Sequence, residues 1–374
     1  MTLQMVDVRS QYLKIKEEVD KGIHEVLDTT AFIGGPKVKK FQEELEAYLG
    51  IKHVIPCANG TDAIQIALMA LGLKPGDEVI VPAFTYVATA EVIALLGLTP
   101  VMVDVDYDSF NVSAKAIEEA ITPRTKAIVP VHLYGQSADM EAIMNLAEKH
   151  GIYVVEDNAQ AIGADYTFST GKKAKTGTIG HIGCTSFYPS KNLGCYGDGG
   201  AIMTNDDELA ALLRKIANHG QSVRYYHDVV GVNSRLDALQ AVVLSAKLKH
   251  LDEYNLARKK VADYYDAAYD GHAEIITPYR SSFSTHVFHQ YTLRIKNGKR
   301  DALKDFLDEH KIPNMIYYPV PLYKQEAFKA SSNGTEYLDN TELLCQEVIS
   351  LPVHTEMNDD QLKYICDHVL QFFA

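Results

Sequence analysis

The stretch Lys126–Gln160, KAIVPVHLYGQSADMEAIMNLAEKHGIYVVEDNAQ, contains the pattern that decides the fold. An apolar run at Lys126–Val131 is followed by an amphipathic stretch at Ser137–His150, and a second apolar run follows at Ile152–Glu156. Gly151 stands where a helix would end before the next strand begins. Strand, helix and strand in this order predict a βαβ unit whose two strands run parallel.

The same alternation continues on both sides of this unit. Further strands are predicted at Glu78–Val81, Val101–Val105, Cys184–Tyr188 and Gly200–Thr204, and further helices at Thr61–Leu71, Ala88–Leu96 and Ser113–Ile121. A polar stretch at Tyr166–Gly177 predicts an exposed loop or hairpin, within which the insert-like segment Thr167–Lys175 has no role that we can assign. Repeated βαβ units build a mostly parallel sheet that helices cover on both faces.

Residues 234–270 contain neither glycine nor proline and begin with Ser234-x-x-Asp237, a plausible capping box. A single helix of this length would run roughly 55 Å, so it must either link two domains or break once. We therefore expect a large domain at residues 1–245 and a smaller α/β domain at residues 246–374. In the smaller domain the predicted elements are a strand at Phe288–Ile295, a helix at Arg300–His310, a short strand near Met315–Tyr318 and a helix at Asp359–Phe373.

Composition and charge exclude several classes of function. The 374-residue chain has a formal net charge of −13, and this repels nucleic acids and anionic membranes. Its five cysteines are odd in number and form no CxxC pair, which argues against a disulfide framework or a zinc site. The first residues, Met1–Lys14, lack an apolar signal region. We therefore expect a cytoplasmic protein that binds no nucleic acid, membrane or metal.

Two motifs lie next to predicted strands. Asn59–Thr61 (NGT) follows an apolar run and opens a helix, so its free backbone N–H groups can bind a phosphate, or Asn59 can simply cap the helix. Glu156–Gln160 (EDNAQ) lies at the carboxyl end of a strand, where ligands of open parallel sheets bind. Asp157 can hold a cationic ring nitrogen and Gln160 a ring hydroxyl, or Asp157 or Asn158 can simply cap a helix.

Two further motifs follow in the chain. Ser186–Lys191 (SFYPSK) ends in a lysine and precedes the glycine-rich run Gly194–Gly200, which lacks the spacing of a P-loop. A strand-end lysine beside hydroxyls suits a residue that forms a Schiff base, because burial and nearby cations would lower the pKa of its amine. The alternative is a solvated surface lysine, which most lysines are. Gly231–Asp237 (GVNSRLD) offers either a helix cap or a phosphate contact, and its arginine can bind a carboxylate.

The order of these motifs, NGT, EDNAQ, SFYPSK with its glycine run and NSRLD, resembles the DegT/DnrJ/StrS-type sugar aminotransferases. The resemblance extends from Phe32–Pro36 (FIGGP) to Tyr318–Leu322 (YPVPL) and includes Thr85–Thr89 (TYVAT) and Pro130–Gly135 (PVHLYG). It implies the pyridoxal-phosphate (PLP)-dependent transferase fold type I, with a large, mostly parallel α/β domain and a smaller C-terminal α/β domain.

The resemblance also implies roles for individual residues. Lys191 would bind PLP covalently, and Asp157 would pair with the protonated pyridine nitrogen. The implied cofactor contacts are Gln160 with the ring hydroxyl, Tyr86 stacked on the ring, and Gly60, Thr61 and Ser186 with the phosphate, helped by Asn233 from a second subunit. A homodimer with composite active sites follows from this set.

The implied reaction moves an amino group from L-glutamate to a 3-keto sugar nucleotide. The chain looks most similar to aminotransferases of UDP-2-acetamido-2-deoxy-3-oxo-D-glucuronate, which implies a place in bacterial cell-surface polysaccharide (lipopolysaccharide O-antigen) biosynthesis. Enzymes that act on dTDP-3-oxo-6-deoxyhexoses are the alternative. Arg235 is the candidate for binding a glucuronate carboxylate. Tyr317 and Tyr318 are candidate substrate contacts, although some glucuronate-type relatives have histidine in place of Tyr317.

An alternative of another class is a PLP-fold sensor or regulator that has lost turnover. Such a protein would often lack Lys191 or Asp157, and this chain has both. His219, His227 and His289 can also line the pocket, but most histidines are structural. No catalytic role is therefore assigned to them.

Overall fold

The helices and strands come from a computed structural model that describes residues 3–329 and 337–374. The helices are α1 (Val8–Thr29), α2 (Gly35–Leu49), α3 (Gly60–Ala70), α4 (Ala88–Leu95), α5 (Ala114–Ala120), α6 (Met140–His150), α7 (Asp207–Ala217), α8 (Ala238–Leu248), α9 (Leu251–Tyr269), α10 (Arg300–Glu309), α11 (Asp339–Glu347) and α12 (Asp359–Phe373). The strands are β1 (His53–Cys57), β2 (Glu78–Pro82), β3 (Thr99–Val103), β4 (Thr125–Ile128), β5 (Tyr153–Asp157), β6 (Asp165–Thr167), β7 (Lys173–Lys175), β8 (Ile182–Ser186), β9 (Gly200–Thr204), β10 (Gln221–Val223), β11 (Tyr226–His227), β12 (Ile275–Ile276), β13 (Tyr291–Ile295) and β14 (Val348–Leu351). Within these ranges no helix combines the length and the apolar character needed to cross a membrane.

A seven-stranded sheet with the order β1-β9-β8-β5-β4-β2-β3 carries the candidate site. Neighbouring strands from β8 to β3 in this order pair in parallel, whereas β9 pairs antiparallel with both β8 and β1. The βαβ unit predicted from the opening stretch is β4-α6-β5, with Ala127 paired to Tyr153. The predicted large, mostly parallel sheet flanked by helices is confirmed.

Strand β2 shows why the sheet is covered on both faces. All of its residues are buried, and successive side chains of a strand point to opposite faces. Val79 and Val81 pack in a cluster that contains residues of α3 and α4, whereas Ile80 packs with Ile117 of α5 and Ile143 of α6. A strand that is buried on both sides therefore appears in the sequence as a continuous apolar run.

The long stretch at residues 234–270 breaks once instead of forming one helix. Helix α8 begins only after Asp237, and α9 begins after a break at Lys249 and His250. The prediction that Ser234 starts the helix is wrong, because its hydroxyl accepts the backbone N–H of Ala58 at 3.0 Å. The division into domains at residue 245 stays a prediction.

The C-terminal part contains a three-stranded sheet with the order β12-β13-β14. The strand predicted near Met315–Tyr318 is wrong, because only Met315 pairs there, in an isolated bridge with Ser350. The predicted strand at Phe288–Ile295 is confirmed in its second half as β13. The polar stretch at 166–177 contains the hairpin β6-β7, the second of the two forms expected.

Glu156 is a buried carboxylate that joins β5 to the loop leading into β8. It accepts hydrogen bonds of 2.6 to 2.9 Å from the backbone N–H groups of Gly177, Ile179 and Gly180 and from Nε2 of His132. The next residue in the chain, Asp157, ends β5, and Lys191 follows β8. This network therefore sets the relative position of the two strand ends that carry the predicted site.

Glu156→Ala should destabilise the protein strongly, because three backbone N–H groups would lose their acceptor. We expect the free energy of unfolding to fall by about 3–5 kcal/mol, as measured by urea denaturation. The control is Glu43→Ala, whose exposed carboxylate lies 3.6 Å from Lys39 and whose loss should change stability by less than about 0.5 kcal/mol. Equal midpoints for the two variants would show that the network does not hold the loop.

Candidate active site

Lys191 lies in a tight turn after β8, where its N–H donates to the Tyr188 carbonyl at 2.8 Å. Its side chain is half-buried, and among the described residues Nζ has no hydrogen-bond or ion-pair partner. Burial lowers the pKa of Lys191 to about 8, while the negative charge of Asp157 acts in the opposite direction. A substantial share of the amine is therefore neutral near pH 8, and this is the form that attacks a carbonyl carbon.

Asp157 is the last residue of β5 and is only 6% exposed. The Thr89 hydroxyl donates to Oδ2 at 2.8 Å, and the Ala159 N–H donates to Oδ1 at 3.1 Å. These two donors orient the carboxylate at the edge of the sheet. The carboxylate lies within electrostatic range of the Lys191 amine, since its charge acts on the pKa of that group. The structure thus brings together the two residues on which the sequence prediction depends.

Gln160 is held between the sheet edge and the C-terminal part of the chain. Its Oε1 accepts the Tyr134 N–H at 2.7 Å, and its Nε2 donates to the Tyr318 hydroxyl at 3.2 Å. Burial raises the pKa of Tyr318 above its ordinary value, so its hydroxyl stays protonated. The Tyr134 hydroxyl donates to the carbonyl of Tyr317. Both tyrosines that were predicted as substrate contacts are therefore tied to the edge that carries Gln160.

Tyr86 follows β2 and leaves 57% of its surface exposed. Its ring centroid lies 6.4 Å from that of Tyr318, and the two rings are tilted by 43°. Because Tyr318 is the hydrogen-bond partner of Gln160, this exposed aromatic face lies next to the same edge and can cover a flat ring bound there. The position of Tyr86 is compatible with the predicted stacking contact, which stays a prediction.

The start of α3 offers the anion-binding end of the site. Asn59 caps the helix by accepting the Asp62 N–H at 2.8 Å, and the N–H groups of Gly60 and Thr61 have no acceptor among the described residues. A Cβ atom on Gly60 would lie 2.7 Å from Cβ of Ser186, so the two backbones approach too closely for any other residue. Unpaired N–H groups beside a serine hydroxyl fit a phosphate.

Among the described residues, no side-chain hydrogen bond or ion pair ties Asn233 or Arg235 to this cluster. Both side chains are exposed, and neither forms a hydrogen bond or an ion pair with another described side chain. Between them, Ser234 is buried against Ala58, just before the α3 cap. Their exposure is compatible with the expected contact to a second subunit, which a single chain does not contain.

Sequence reasoning missed two groups that shape the site and assigned no role to a third. Thr89 orients Asp157, Tyr134 binds Gln160 through its backbone, and the set-aside His289 lies within electrostatic range of Lys191. Thr89 had a usable signal, because it lies in the first turn of the helix that follows a strand end. Tyr134 and His289 act through contacts between distant parts of the chain, and no local pattern predicts such contacts.

The geometry matches the needs of a phosphorylated pyridine aldehyde. An amine with a lowered pKa, a strand-end carboxylate for a ring nitrogen, an exposed aromatic face and an anion cradle occur at one edge of a mostly parallel sheet. This combination fits bound pyridoxal phosphate, and the fold is that of the PLP-dependent aminotransferases of fold type I. Residues 13–370 match the model of the DegT/DnrJ/EryC1/StrS aminotransferase family. The chain belongs to this family of sugar aminotransferases, and its cofactor is pyridoxal phosphate.

Three relatives align with this chain over nearly their whole length. A UDP-2-acetamido-2-deoxy-3-oxo-D-glucuronate aminotransferase of Pseudomonas aeruginosa is 47% identical, with 97% of this chain and 98% of that protein covered. A pleiotropic regulatory protein of Geobacillus stearothermophilus is 46% identical, with 100% and 99% covered. A dTDP-3-amino-3,4,6-trideoxy-alpha-D-glucose transaminase of Streptomyces venezuelae is 39% identical, with 98% and 95% covered.

A solved structure shows the same fold. The crystal structure of DesV from S. venezuelae in complex with a ketimine intermediate superposes with a TM-score of 0.94 at 39% sequence identity. The alignment covers 99% of this chain and 98% of that one.

The lowered pKa of Lys191 predicts how its reactivity depends on pH. In the cofactor-free protein, the rate at which an amine-reactive electrophile labels Lys191 should rise with pH and level off above about pH 8. Free Nα-acetyl-lysine, the reference, has a pKa of about 10.4. Asp157→Asn should move the midpoint to lower pH, because it removes the charge that favours the protonated amine. Mass spectrometry of the Lys191 peptide reads the rate, and a midpoint equal to that of the reference would refute the proposed burial effect.

Proposed function

We propose that the protein transfers the amino group of L-glutamate to C3 of a 3-keto sugar nucleotide in bacterial cell-surface polysaccharide biosynthesis. The preferred acceptor in this proposal is UDP-2-acetamido-2-deoxy-3-oxo-D-glucuronate. The observation that carries the proposal is the Lys191 amine, with its pKa lowered to about 8, within range of the strand-end carboxylate of Asp157. The Pseudomonas relative named for that activity, at 47% identity, supports the choice of sugar.

The chemistry follows from what each side chain can hold or move. When bound, pyridoxal phosphate supplies an electron sink for the electron pair left when a proton leaves the amino-bearing carbon. Asp157, oriented by Thr89, would favour a protonated ring nitrogen. Lys191 would hold the cofactor covalently until a substrate amine displaces it. Its Nζ would then accept the α-proton of the amino donor as general base and later donate a proton as general acid.

The remaining side chains would position the reactants. Tyr86 would cover the ring face and Gln160 would donate to the ring hydroxyl, while Gly60, Thr61 and Ser186 would bind the phosphate. Because the 2-keto acid formed from glutamate would leave, with its amino group left behind, before the keto sugar enters, the two half-reactions give ping-pong kinetics. Tyr317 and Tyr318 would line the sugar side of the site, since Tyr134 and Gln160 hold them at the same edge.

Arg235 is the proposed partner of the glucuronate carboxylate. Its guanidinium is exposed and has no acidic partner among the described residues, so it is available for a bidentate pair. The second candidate acceptor is a dTDP-linked 3-keto-6-deoxy sugar, and the Streptomyces transaminase supports it. This sugar differs from the glucuronate because it has no carboxylate. A regulator without turnover is suggested by the names of two relatives, the Geobacillus regulatory protein and a sensory transduction protein of Saccharopolyspora erythraea. The presence of both Lys191 and Asp157 argues against it.

The reverse half-reaction tests the acceptor. Cofactor-loaded protein would be mixed with the UDP-linked 3-amino glucuronate, with the same sugar carrying a hydroxymethyl group in place of the carboxylate, and with a dTDP-3-amino-6-deoxyhexose. We expect the visible absorption of the Lys191-bound cofactor to disappear at least about tenfold more efficiently with the glucuronate, because only that sugar can form a charge-assisted pair.

Arg235→Met should abolish this preference, whereas Arg214→Met, which removes another exposed arginine, should leave it unchanged. Faster loss of absorption with the dTDP sugar would favour the second candidate. Loss with none of the three sugars would mean that the protein is not a 3-amino sugar transaminase.

We further propose that the protein acts as a homodimer in which Asn233 of one subunit completes the phosphate site of the other. The exposed side chain of Asn233, which has no side-chain partner among the described residues, is available for such a contact and supports this arrangement. A two-fold axis would then repeat the contact in both active sites.

Mixed dimers test the composite site. Lys191→Ala and Asn233→Ala should each abolish most activity, but co-expression of the two variants should restore about a quarter of wild-type activity, since half of the dimers would hold one intact site. The control is co-expression of Lys191→Ala with Asp157→Asn. Both residues of one active site come from the same subunit, so every site in a mixed dimer carries one of the two substitutions and no activity should return. Failure of the first pair to recover while the protein remains dimeric would contradict the composite site.

A further inference from the structure

His289 is a buried side chain that the proposed mechanism does not use. It lies just before β13 and is 5% exposed, and its Nδ1 has no hydrogen-bond partner among the described residues. A buried imidazole nitrogen without a partner is unfavourable, so a partner is expected in the working enzyme.

The segment that carries His289 is tied to the chain next to Lys191. The side-chain amide of Asn192 donates to the carbonyl of Val287 at 2.9 Å, and the same amide donates to Asn255 at 2.7 Å. Asn192 is 4% exposed, so these are interior contacts. They place the residues around His289 directly beside the turn that carries the catalytic amine.

The other side of the segment is tied to Gln160. The N–H of Gln290 donates at 3.3 Å to the carbonyl of Tyr134, whose own N–H donates to Gln160. Nη1 of Arg258 also contacts the carbonyl of His289 at 3.4 Å. The backbone of His289 is therefore held between the neighbour of the amine and the residue that holds Gln160.

Two unpaired polar groups thus lie close together. Burial lowers the pKa of His289 well below its ordinary value, and the positive charges of Lys191 and Arg258 add to this effect. A neutral imidazole has one nitrogen with a free lone pair, and a flip of the ring exchanges the two nitrogens. The Lys191 amine can donate to that lone pair, and neither group has another partner among the described residues.

We propose that His289 is a positioning residue that accepts a hydrogen bond from the Lys191 amine whenever that amine is not bound to the cofactor. The inference rests on the proposed function, because that function requires Lys191 to act as a free base after displacement. The hydrogen bond would hold the amine beside the carbon whose proton it removes. The proton itself stays on Nζ until Lys191 returns it, so the imidazole carries no charge in the cycle.

Substitutions at His289 test this role with two measurements. His289→Leu should slow the single-turnover reaction with L-glutamate at least about tenfold, through loss of one positioning hydrogen bond, while the glutamate concentration for half-maximal rate stays unchanged. In the cofactor-free protein it should also move the pH midpoint of Lys191 labelling downward, because an acceptor that favours the protonated amine is lost. His289→Asn and His289→Gln keep an acceptor and should recover most of both effects.

His286→Asn is the matched control. His286 lies three residues away, and its Nδ1 accepts the Phe288 N–H at 3.0 Å, but Lys191 does not contribute to its lowered pKa. This variant should change neither measurement. If His289→Leu lowers the melting temperature while both measurements stay at wild-type values, His289 is only structural and the proposal is overturned. If His289→Leu does not fold, His289→Phe replaces it, and a labelling midpoint and glutamate rate equal to those of the wild type in that variant overturn the proposal.

The labelling measurement uses no substrate, so it separates the two hypotheses. A shifted midpoint in a protein that fails to react with glutamate would reject the proposed amino donor and retain the contact between His289 and Lys191. A normal glutamate reaction with an unshifted midpoint would retain the proposed function and reject the contact.

Discussion

The electrostatic balance at the Lys191 amine is the constraint on which the rest of the site depends. Burial alone would make the amine a weak base, and the nearby carboxylate of Asp157 partly restores its affinity for a proton. The resulting pKa of about 8 lets the same nitrogen attack as a neutral amine and return a proton as an ammonium group. Both roles require the two groups to stay close while remaining shielded from water.

The sheet meets this requirement through its geometry. Strands β5 and β8 are parallel neighbours, with Asp157 paired to Cys184, so their carboxyl ends meet at one edge. Glu156 ties the loop before β8 to the end of β5 through several backbone N–H groups. The positions of the Lys191 amine and the Asp157 carboxylate thus depend on the buried carboxylate of Glu156, which forms no hydrogen bond to either of them among the described residues.

A second layer of contacts brings the C-terminal part of the chain to this edge. Tyr134 binds Gln160 through its N–H and Tyr317 through its hydroxyl, while Gln160 binds Tyr318. These bonds join residues that are far apart in the sequence. They also explain why local patterns located Gln160 correctly at a strand end but revealed neither its partners nor the position of His289.

Local sequence determined the alternation of strands and helices, the strand-end position of Asp157 and the glycine that opens the anion site, because periodicity and backbone freedom act over a few residues. Prediction from local sequence failed where a group far away in the chain took the partner that a local contact would have used. Ser234 does not cap α8, because its hydroxyl accepts the N–H of Ala58. Only the tertiary structure decided the lowered pKa of Lys191 and its proximity to His289, since burial and charge at one atom depend on every segment that packs around it.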